Sequence, residues 1–325
     1  MKRTATLLLL LPLLLSACGA GGAATQAAPT AADTAAATAV ASEPTPVAPA
    51  ANATAQIRAV TTMSVLADMI TQVGGERVLA ENIIPVGAGP EDYQPAPQDA
   101  QKIAEADIVF FNGHGLEAWL NSLFESAGKP GQPRVDVSAG LQAVDVGGEA
   151  FKEGNPHFWM SAAYGAKYAE KIRDALSALD PAGKATYDAN ATSYIQQLSA
   201  LNAELKQQAA TIPDANRKLV TNHDAFPYFA QEYGFTVVGN ILGNPESEPA
   251  AGDLARLVQD IKAQSVKAIF SESQFSPKLT DTLSQEAGVT VVANLYTDTL
   301  DPEADINSYV DLLRYNMKTV VDALT

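Results

Sequence analysis

The 325-residue chain has one cysteine, three histidines and two tryptophans. One cysteine excludes an intrachain disulfide framework and any CxxC zinc site. Three histidines exclude a histidine-rich metal loop and give each imidazole weight. Basic residues are also scarce, 21 Lys and Arg against 37 Asp and Glu, for a net charge of −16. That balance argues against nucleic acid and against docking on anionic lipid through protein charge; it suits attraction of small cations. After the first 17 residues no stretch is long and apolar enough to cross a bilayer.

The N-terminus has the form of an address. Met1-Lys2-Arg3 is basic, and Leu7 to Leu15 is leucine broken only by Pro12, which is a signal-peptide core over residues 1–17. Small residues in Leu15-Ser16-Ala17 precede Cys18, the pattern of a bacterial lipobox in which the thiol is acylated and the preceding bond is cut. Cleavage removes Lys2 and Arg3 and no acid, so the net charge falls by two from −16. Residues 18–56 are Ala, Thr, Pro and Gly with few large apolar side chains, too little to offset ordering entropy; they read as a lipidated, flexible tether.

From Ile57 onward the pattern alternates between strand and helix, which implies parallel sheets. Strands are expected at 57–62, 78–84, 108–112 and 134–137, with a helix from Ser64, read as its N-cap, and others at 98–106 and 116–125. Two helical stretches follow, 161–179 and 181–211, divided by Asp180-Pro181. The second carries an apolar stripe of Tyr187, Tyr194, Ile195, Leu198, Leu201 and Leu205 and has the length of a rigid connector. The rhythm then resumes with strands at 218–221, 236–240, 268–271 and 290–293 and helices at 226–233, 250–263, 277–287 and 306–324. The fold class is α/β: an N-terminal lobe at 57–160, a helical connector at 161–213 and a C-terminal lobe at 214–325. Two such lobes leave a cleft lined by loops at the carboxyl ends of strands.

Four loops carry metal-ligating residue types: Pro90-Glu91-Asp92-Tyr93, Thr221-Asn222-His223-Asp224 and Leu295-Tyr296-Thr297-Asp298 follow strands, and Asn155-Pro156-His157-Phe158-Trp159-Met160 closes the first lobe. Pro156 biases Asn155 away from α and stiffens the turn before His157. Two imidazoles and two carboxylates suit a divalent transition metal, since the carboxylates neutralise the dication and reduce its desolvation cost. Asp92 or water is the alternative to Glu91, and His114, at another strand end, is a further nitrogen or a supporting residue. Glu272 is a candidate to accept a hydrogen bond from a ligand imidazole.

Taken with Gly87-Ala88-Gly89-Pro90-Glu91-Asp92-Tyr93-Gln94-Pro95, Asn112-Gly113-His114-Gly115-Leu116-Glu117 and Phe270-Ser271-Glu272, these motifs resemble the zinc and manganese solute-binding lipoproteins of bacterial ABC importers. The resemblance covers residues 57–325. It implies two lobes, a long connecting helix and one ion held between the lobes by two ligands from each, and it places His157, His223 and Asp298 on ligand positions. Glu91 stands where the family usually has histidine, which leaves two nitrogens and an oxygen-rich remainder. That set leans toward manganese, with zinc and iron as alternatives. What the resemblance implies is a monomeric binding protein anchored on the outer face of the cytoplasmic membrane, handing a captured ion to an ABC permease. Cell-surface adhesin and zinc-dependent hydrolase are the competing functions. Against a hydrolase, four protein ligands leave no open position on zinc, and no HExxH motif is present.

Overall fold

The computed structural model describes residues 56–144, 153–242 and 249–325. The signal peptide, Cys18 and all of the expected tether but Gln56 lie outside them. Residues 53–325 form one compact unit, and none of its helices, among the described residues, is long and apolar enough to cross a membrane.

The first half is a four-stranded parallel sheet. Strands β1 (Ile57–Thr61), β2 (Val78–Asn82), β3 (Ile108–Phe111) and β4 (Arg134–Asp136) stand in the order β2-β1-β3-β4. Helices α1 (Ser64–Gly74), α2 (Pro97–Glu105) and α3 (Leu120–Ala127) make the connections. Ile108, Val109 and Phe110 are fully buried, as a continuous apolar run in a parallel strand requires. The second half holds two parallel pairs. Strands β5 (Lys218–Thr221) and β6 (Thr236–Asn240) form one, and β7 (Ala268–Glu272) and β8 (Thr290–Leu295) the other. Asn222 and Glu272 join β5 to β7: the Asn222 amide donates to Glu272 Oε1 at 2.8 Å, and the Glu272 amide to Asn222 Oδ1 at 2.8 Å. Their helices are α6 (Pro227–Tyr233), α7 (Ala251–Ala263), α8 (Pro277–Ala287) and α9 (Tyr309–Leu324).

Between the halves run α4 (Ala162–Leu179) and α5 (Lys184–Ala209). At 1.5 Å per residue the 26 residues of α5 extend about 39 Å. Its buried positions are Tyr187, Ala191, Tyr194, Leu198, Leu201, Leu205 and Ala209, a series of four- and three-residue steps that keeps one face turned inward. Ile195 is only half-buried, so the stripe is narrower than the sequence suggests. That face packs on α4, α1 and α9. The connector is therefore a wall of the main core, which runs without a break from Ala59 in β1 to Leu324 in α9. A small residue makes one close approach possible: a Cβ on Gly165 of α4 would stand 2.6 Å from the Tyr309 ring.

Expected boundaries shift by up to four residues; the second connector helix, expected over 181–211, runs Lys184–Ala209 after a 3-10 turn at Pro181–Gly183, and three other shifts have a local reason. The N-cap of α1 is Met63, not Ser64, because the Ser64 hydroxyl is used across the molecule and accepts the Leu300 amide at 2.8 Å. Helix α3 begins at Leu120 rather than at residue 116, because Glu117 turns inward to bond the Asn112 and Gly113 amides. Helix α9 begins at Tyr309, not at Ile306, because Ser308 caps it by accepting the Asp311 amide at 3.1 Å.

Truncating the connector's inner face tests whether it is structural. Leu198→Ala is expected to cost about 2–5 kcal/mol, the usual range for a fully buried leucine, read as a lower midpoint in urea unfolding of metal-free protein; exposed Lys184→Ala is expected to change it by less than about 0.5 kcal/mol.

Candidate metal centre

Carboxyl ends of parallel strands converge on one place. Glu91 lies in the loop between β2 and α2, and three hydrogen bonds hold that loop. Trp119 Nε1 donates to the Pro90 carbonyl at 2.8 Å, and Asp99 Oδ2 accepts both the Ala96 amide at 2.8 Å and the Tyr93 hydroxyl at 2.9 Å. The Tyr93 and Trp119 rings lie against each other at 5.2 Å. Asp92, beside Glu91, is exposed and does not fill in for it.

His157 sits in the turn that enters the connector. Asn155 Oδ1 accepts both the His157 amide at 3.0 Å and the ring Nδ1 at 3.1 Å, while Asn155 Nδ2 donates to the Asp224 carbonyl at 2.6 Å. The next residues pin the turn to the other half. Trp159 Nε1 donates to the Thr297 carbonyl at 2.7 Å, and the Tyr309 hydroxyl donates to the Trp159 carbonyl at 2.5 Å. Asn112, at the end of β3, donates to the Pro156 carbonyl at 3.0 Å and accepts the Tyr168 hydroxyl at 2.5 Å.

His223 follows β5. Its Nδ1 lies 2.6 Å from Glu272 Oε2. Glu272 Oε1 accepts the Asn222 and His223 amides at 2.8 and 3.0 Å, and its Oε2 accepts the Thr297 hydroxyl at 3.3 Å. A bulge between β7 and β8, with Asn294 at φ 64°, sets Glu272 opposite Leu295 and brings the following loop, with Asp298, to the site. Bulges of this kind re-aim side chains at functional centres.

The ligating atoms of Glu91, His157 and His223 all lie within 4.8 Å of one another. The two Nε2 atoms face each other at 3.2 Å, and Glu91 Oε1 is 3.4 Å from His157 Nε2. Asp298 Oδ2 borders the group, 3.8 Å from His223 Nε2. Both histidines are fully buried, and Asp298 is 3% exposed. Glu91 Oε1 and Asp298 Oδ1 are buried without a hydrogen-bond partner among the described residues. The acceptors at the two Nδ1 atoms, Asn155 Oδ1 and Glu272 Oε2, place protons on those nitrogens and turn both Nε2 atoms inward. Three ligating groups thus share a common space, with Asp298 at its border.

Electrostatics follow from that crowding. Burial alone would lower the His223 imidazolium, but Glu272 by charge and hydrogen bond, then Asp298 and Glu91, raise it to about 10. Burial, together with the charges of Glu91 and Glu272, pushes Asp298 up to about 7 against the pull of the two imidazoles. Burial also opposes ionisation of Glu91, yet His157 and the charge of His223 hold its carboxyl below the usual range. In the metal-free protein a proton on His223 supplies positive charge that the acceptor cluster requires.

His114 is not one of the clustered residues. Its Nδ1 bonds Ser138 Oγ at 2.7 Å, its ring meets Phe158 edge-on at 4.8 Å, and its backbone takes φ 51° between two glycines. It borders a cavity of about 200 Å³ with Asp136 and Glu117. Asp224 turns to Asn155 rather than to His223. Asn155, Trp119, Tyr168 and Gln274 support the site and were not picked out from the sequence. Asn155 had a local signal, since an Asn two residues before the histidine can accept that residue's amide.

Comparison with known proteins bears on the family and the fold. Residues 59–323 match the family described as zinc-uptake complex component A, periplasmic (ZnuA). The chain is 34% identical over 270 residues to the manganese-binding lipoprotein MntA of Halalkalibacterium halodurans, covering 83% of this chain and 89% of that one. A Mn-bound periplasmic metal-binding protein from Candidatus Liberibacter asiaticus superposes with a TM-score of 0.76 at 28% identity, over 83% of this chain and all of that one. The periplasmic zinc-binding protein TroA from Treponema pallidum does so with a TM-score of 0.77 at 26% identity, over 83% and 99%. Solved structures of this similarity share the two-lobed fold, and with the family match over most of its length, the chain belongs to the periplasmic component A family of zinc-uptake complexes.

Proposed function

We propose that the protein is the extracytoplasmic solute-binding component of an ABC importer. It captures one divalent transition metal, manganese or zinc, between its lobes and delivers it to the permease. One observation carries this reading: two buried imidazoles, each with its Nδ1 against an acceptor, bring their Nε2 atoms to 3.2 Å of each other beside Glu91 Oε1. A positive charge between them, a proton on His223 or a metal ion, makes that arrangement favourable in a buried site. Glu91, His157, His223 and Asp298 are the ligands in this reading. Glu272 and Asn155 orient the rings. His114 is outside the ligand set and helps fix the turn through Phe158.

The ion is cargo, and the protein binds rather than catalyses. Glu272, the carboxylate in contact with His223, is committed to two backbone amides and Thr297, so it is not placed as a general base toward a bound water. Two neutral imidazoles and two carboxylates leave a dication with no net charge, which suits a site that must also release its ion. The relative from Halalkalibacterium halodurans is named a lipoprotein, and Leu15-Ser16-Ala17-Cys18 supports the same anchoring here. The protein then works as a monomer tethered to the outer face of the cytoplasmic membrane.

Metal titration with pH tests the reading. With His223 at about 10 and Asp298 at about 7 in the free protein, an entering ion displaces the His223 proton throughout the neutral range, and the Asp298 proton as well once pH falls below about 7. Apparent affinity is expected to fall about tenfold per pH unit on acidification above pH 7 and more steeply below it. Calorimetry in buffers of different ionisation enthalpy is expected to count about one proton released at pH 8 and nearly two at pH 6. Wild-type manganese and zinc affinity in both His157→Ala and His223→Ala would falsify the site. Glu91→Ala is expected to weaken manganese many-fold, His114→Ala by no more than about twofold, and Glu91→His to move preference toward zinc by adding a softer donor; side-by-side titrations of the three variants measure this. For the anchor, Cys18→Ala is expected to leave the membrane fraction or stay unprocessed, and an intact mass with unmodified Cys18 in the native host overturns that assignment.

A further inference from the structure

Gln274 stands two residues beyond Glu272, in the turn that leaves β7. Its Nε2 donates to Thr297 Oγ1 at 2.7 Å and to Asp298 Oδ2 at 2.8 Å. Both amide hydrogens are therefore used, and Gln274 Oε1 is buried with no hydrogen-bond partner among the described residues. With Asp298 ionised, as it is when it ligates an ion, the amide does not turn over to satisfy that oxygen, because the carboxylate only accepts and a carbonyl would face it with like partial charge. Its orientation is set by the donors alone. Thr297, the other acceptor, passes its own hydrogen to Glu272 Oε2, which lies against His223 Nδ1. Gln274 is thus the junction between the two C-terminal ligands: it bonds Asp298 directly and reaches His223 through Thr297 and Glu272.

The consequence falls on Asp298. Its Oδ2 is engaged by Gln274, while its Oδ1 is buried and without a partner. Asp298 is not among the three residues whose ligating atoms lie within 4.8 Å of one another, although Oδ2 is 3.8 Å from His223 Nε2. Bringing both oxygens onto an ion at that cluster requires the carboxylate to turn, and the Gln274 bond to Oδ2 holds it against that turn. We propose that Gln274 is a positioning residue that restricts Asp298 to one coordinating oxygen and so limits the coordination number of the bound ion, setting the balance between manganese and zinc. With Glu91 able to offer two oxygens, a one-oxygen Asp298 gives at most five protein donors, and a two-oxygen Asp298 gives six. Manganese takes six oxygen-rich ligands readily, whereas zinc in protein sites prefers four. Gln274 therefore works against manganese relative to zinc.

This inference rests on the metal-binding reading above, and the experiment separates the two. Manganese and zinc dissociation constants are measured by competition titration for wild type, Gln274→Met and Gln274→Asn. Met fills the space without a donor, and Asn draws the carboxamide back by one methylene. Both variants are expected to raise the manganese-to-zinc affinity ratio about five- to tenfold, with one more oxygen around bound manganese by X-ray absorption. In an Asp298→Asn background the same Gln274 substitutions are expected to leave the ratio within twofold, because the effect acts through that carboxylate; a merely structural role would lower both affinities together in either background. A wild type that binds neither metal overturns the functional reading. A wild type that binds, with a ratio unchanged or lowered in both variants or shifted equally without Asp298, overturns the role of Gln274 alone. Thermal melting of the metal-free variants identifies one that fails to fold, and the other then decides.

Discussion

Two imidazole Nε2 atoms 3.2 Å apart in a buried interior are the constraint on which this structure turns. With both rings neutral and both Nδ1 atoms protonated they would set lone pair against lone pair, and the two carboxylates beside them add to the repulsion. Water cannot relieve it, because both rings are fully buried. The protein sustains the arrangement by spending hydrogen bonds on the far side of each ring. Asn155 receives the His157 Nδ1, and Glu272 receives that of His223. Those bonds fix the tautomers, and the tautomers fix which atoms face the centre. A proton on His223 or a metal ion resolves the conflict, so uptake of cargo and loss of a proton are one event. The affinity of such a site depends on pH by construction.

The scaffold supplies this convergence through parts that recur in the two halves. In the second, Glu272 accepts the amides of Asn222 and His223 and the hydroxyl of Thr297. In the first, Glu117 accepts the amides of Asn112 and Gly113 and the hydroxyl of Thr62. Each carboxylate gathers the backbone at the end of a parallel strand, where amides would otherwise lack partners. Burial raises Glu117 to about 7 against those three bonds, which shows how strongly the interior disfavours its charge. The halves differ in what the gathered loop carries. After β5 it is a histidine turned into the cleft; after β3 it is Asn112, which reaches the Pro156 carbonyl and steadies the histidine next to it. The first half thus works through support, and its own donors arrive from the Glu91 loop, held by Trp119, and from the turn at His157.

Much of this was legible in the sequence, and the limits have physical causes. Continuous apolar runs such as Ile108-Val109-Phe110 and the stripe on α5 announce buried strands and a packed helix because periodicity is a property of one segment. All eight expected strands form, with ends within two residues of expectation. The Glu91, His223 and Asp298 loops stood out because strand ends are where α/β folds present chemistry, and His157 because a proline stiffens the turn before it. What failed to show were contacts between segments far apart in sequence. Ser64 read as a cap because its local context is that of a cap, yet its hydroxyl meets Leu300, 236 residues away. His114 read as a possible donor because it ends a strand, but the glycines beside it let the backbone take φ 51° and turn the ring toward Ser138. Gln274 carried no signal, since its meaning depends on a bulge that brings the Asp298 loop beside it.

Selectivity is the last step of the same physics. Neutral imidazoles exclude ions that demand only hard oxygen ligands, and two carboxylates match two positive charges and no more. A monovalent ion leaves the site negative, and a trivalent one leaves it positive, each with the desolvation cost of an unbalanced buried charge. Among divalent transition metals intrinsic affinity rises from manganese toward zinc for almost any donor set, so a site that takes manganese must gain through coordination number what it lacks in ligand strength. Each carboxylate here offers one oxygen or two. The nitrogens are held by Asn155 and Glu272 and cannot vary. Discrimination is thereby delegated to the hydrogen bonds that the carboxylates make away from the ion, and a neutral amide at Asp298 Oδ2 weighs on selectivity without touching the metal.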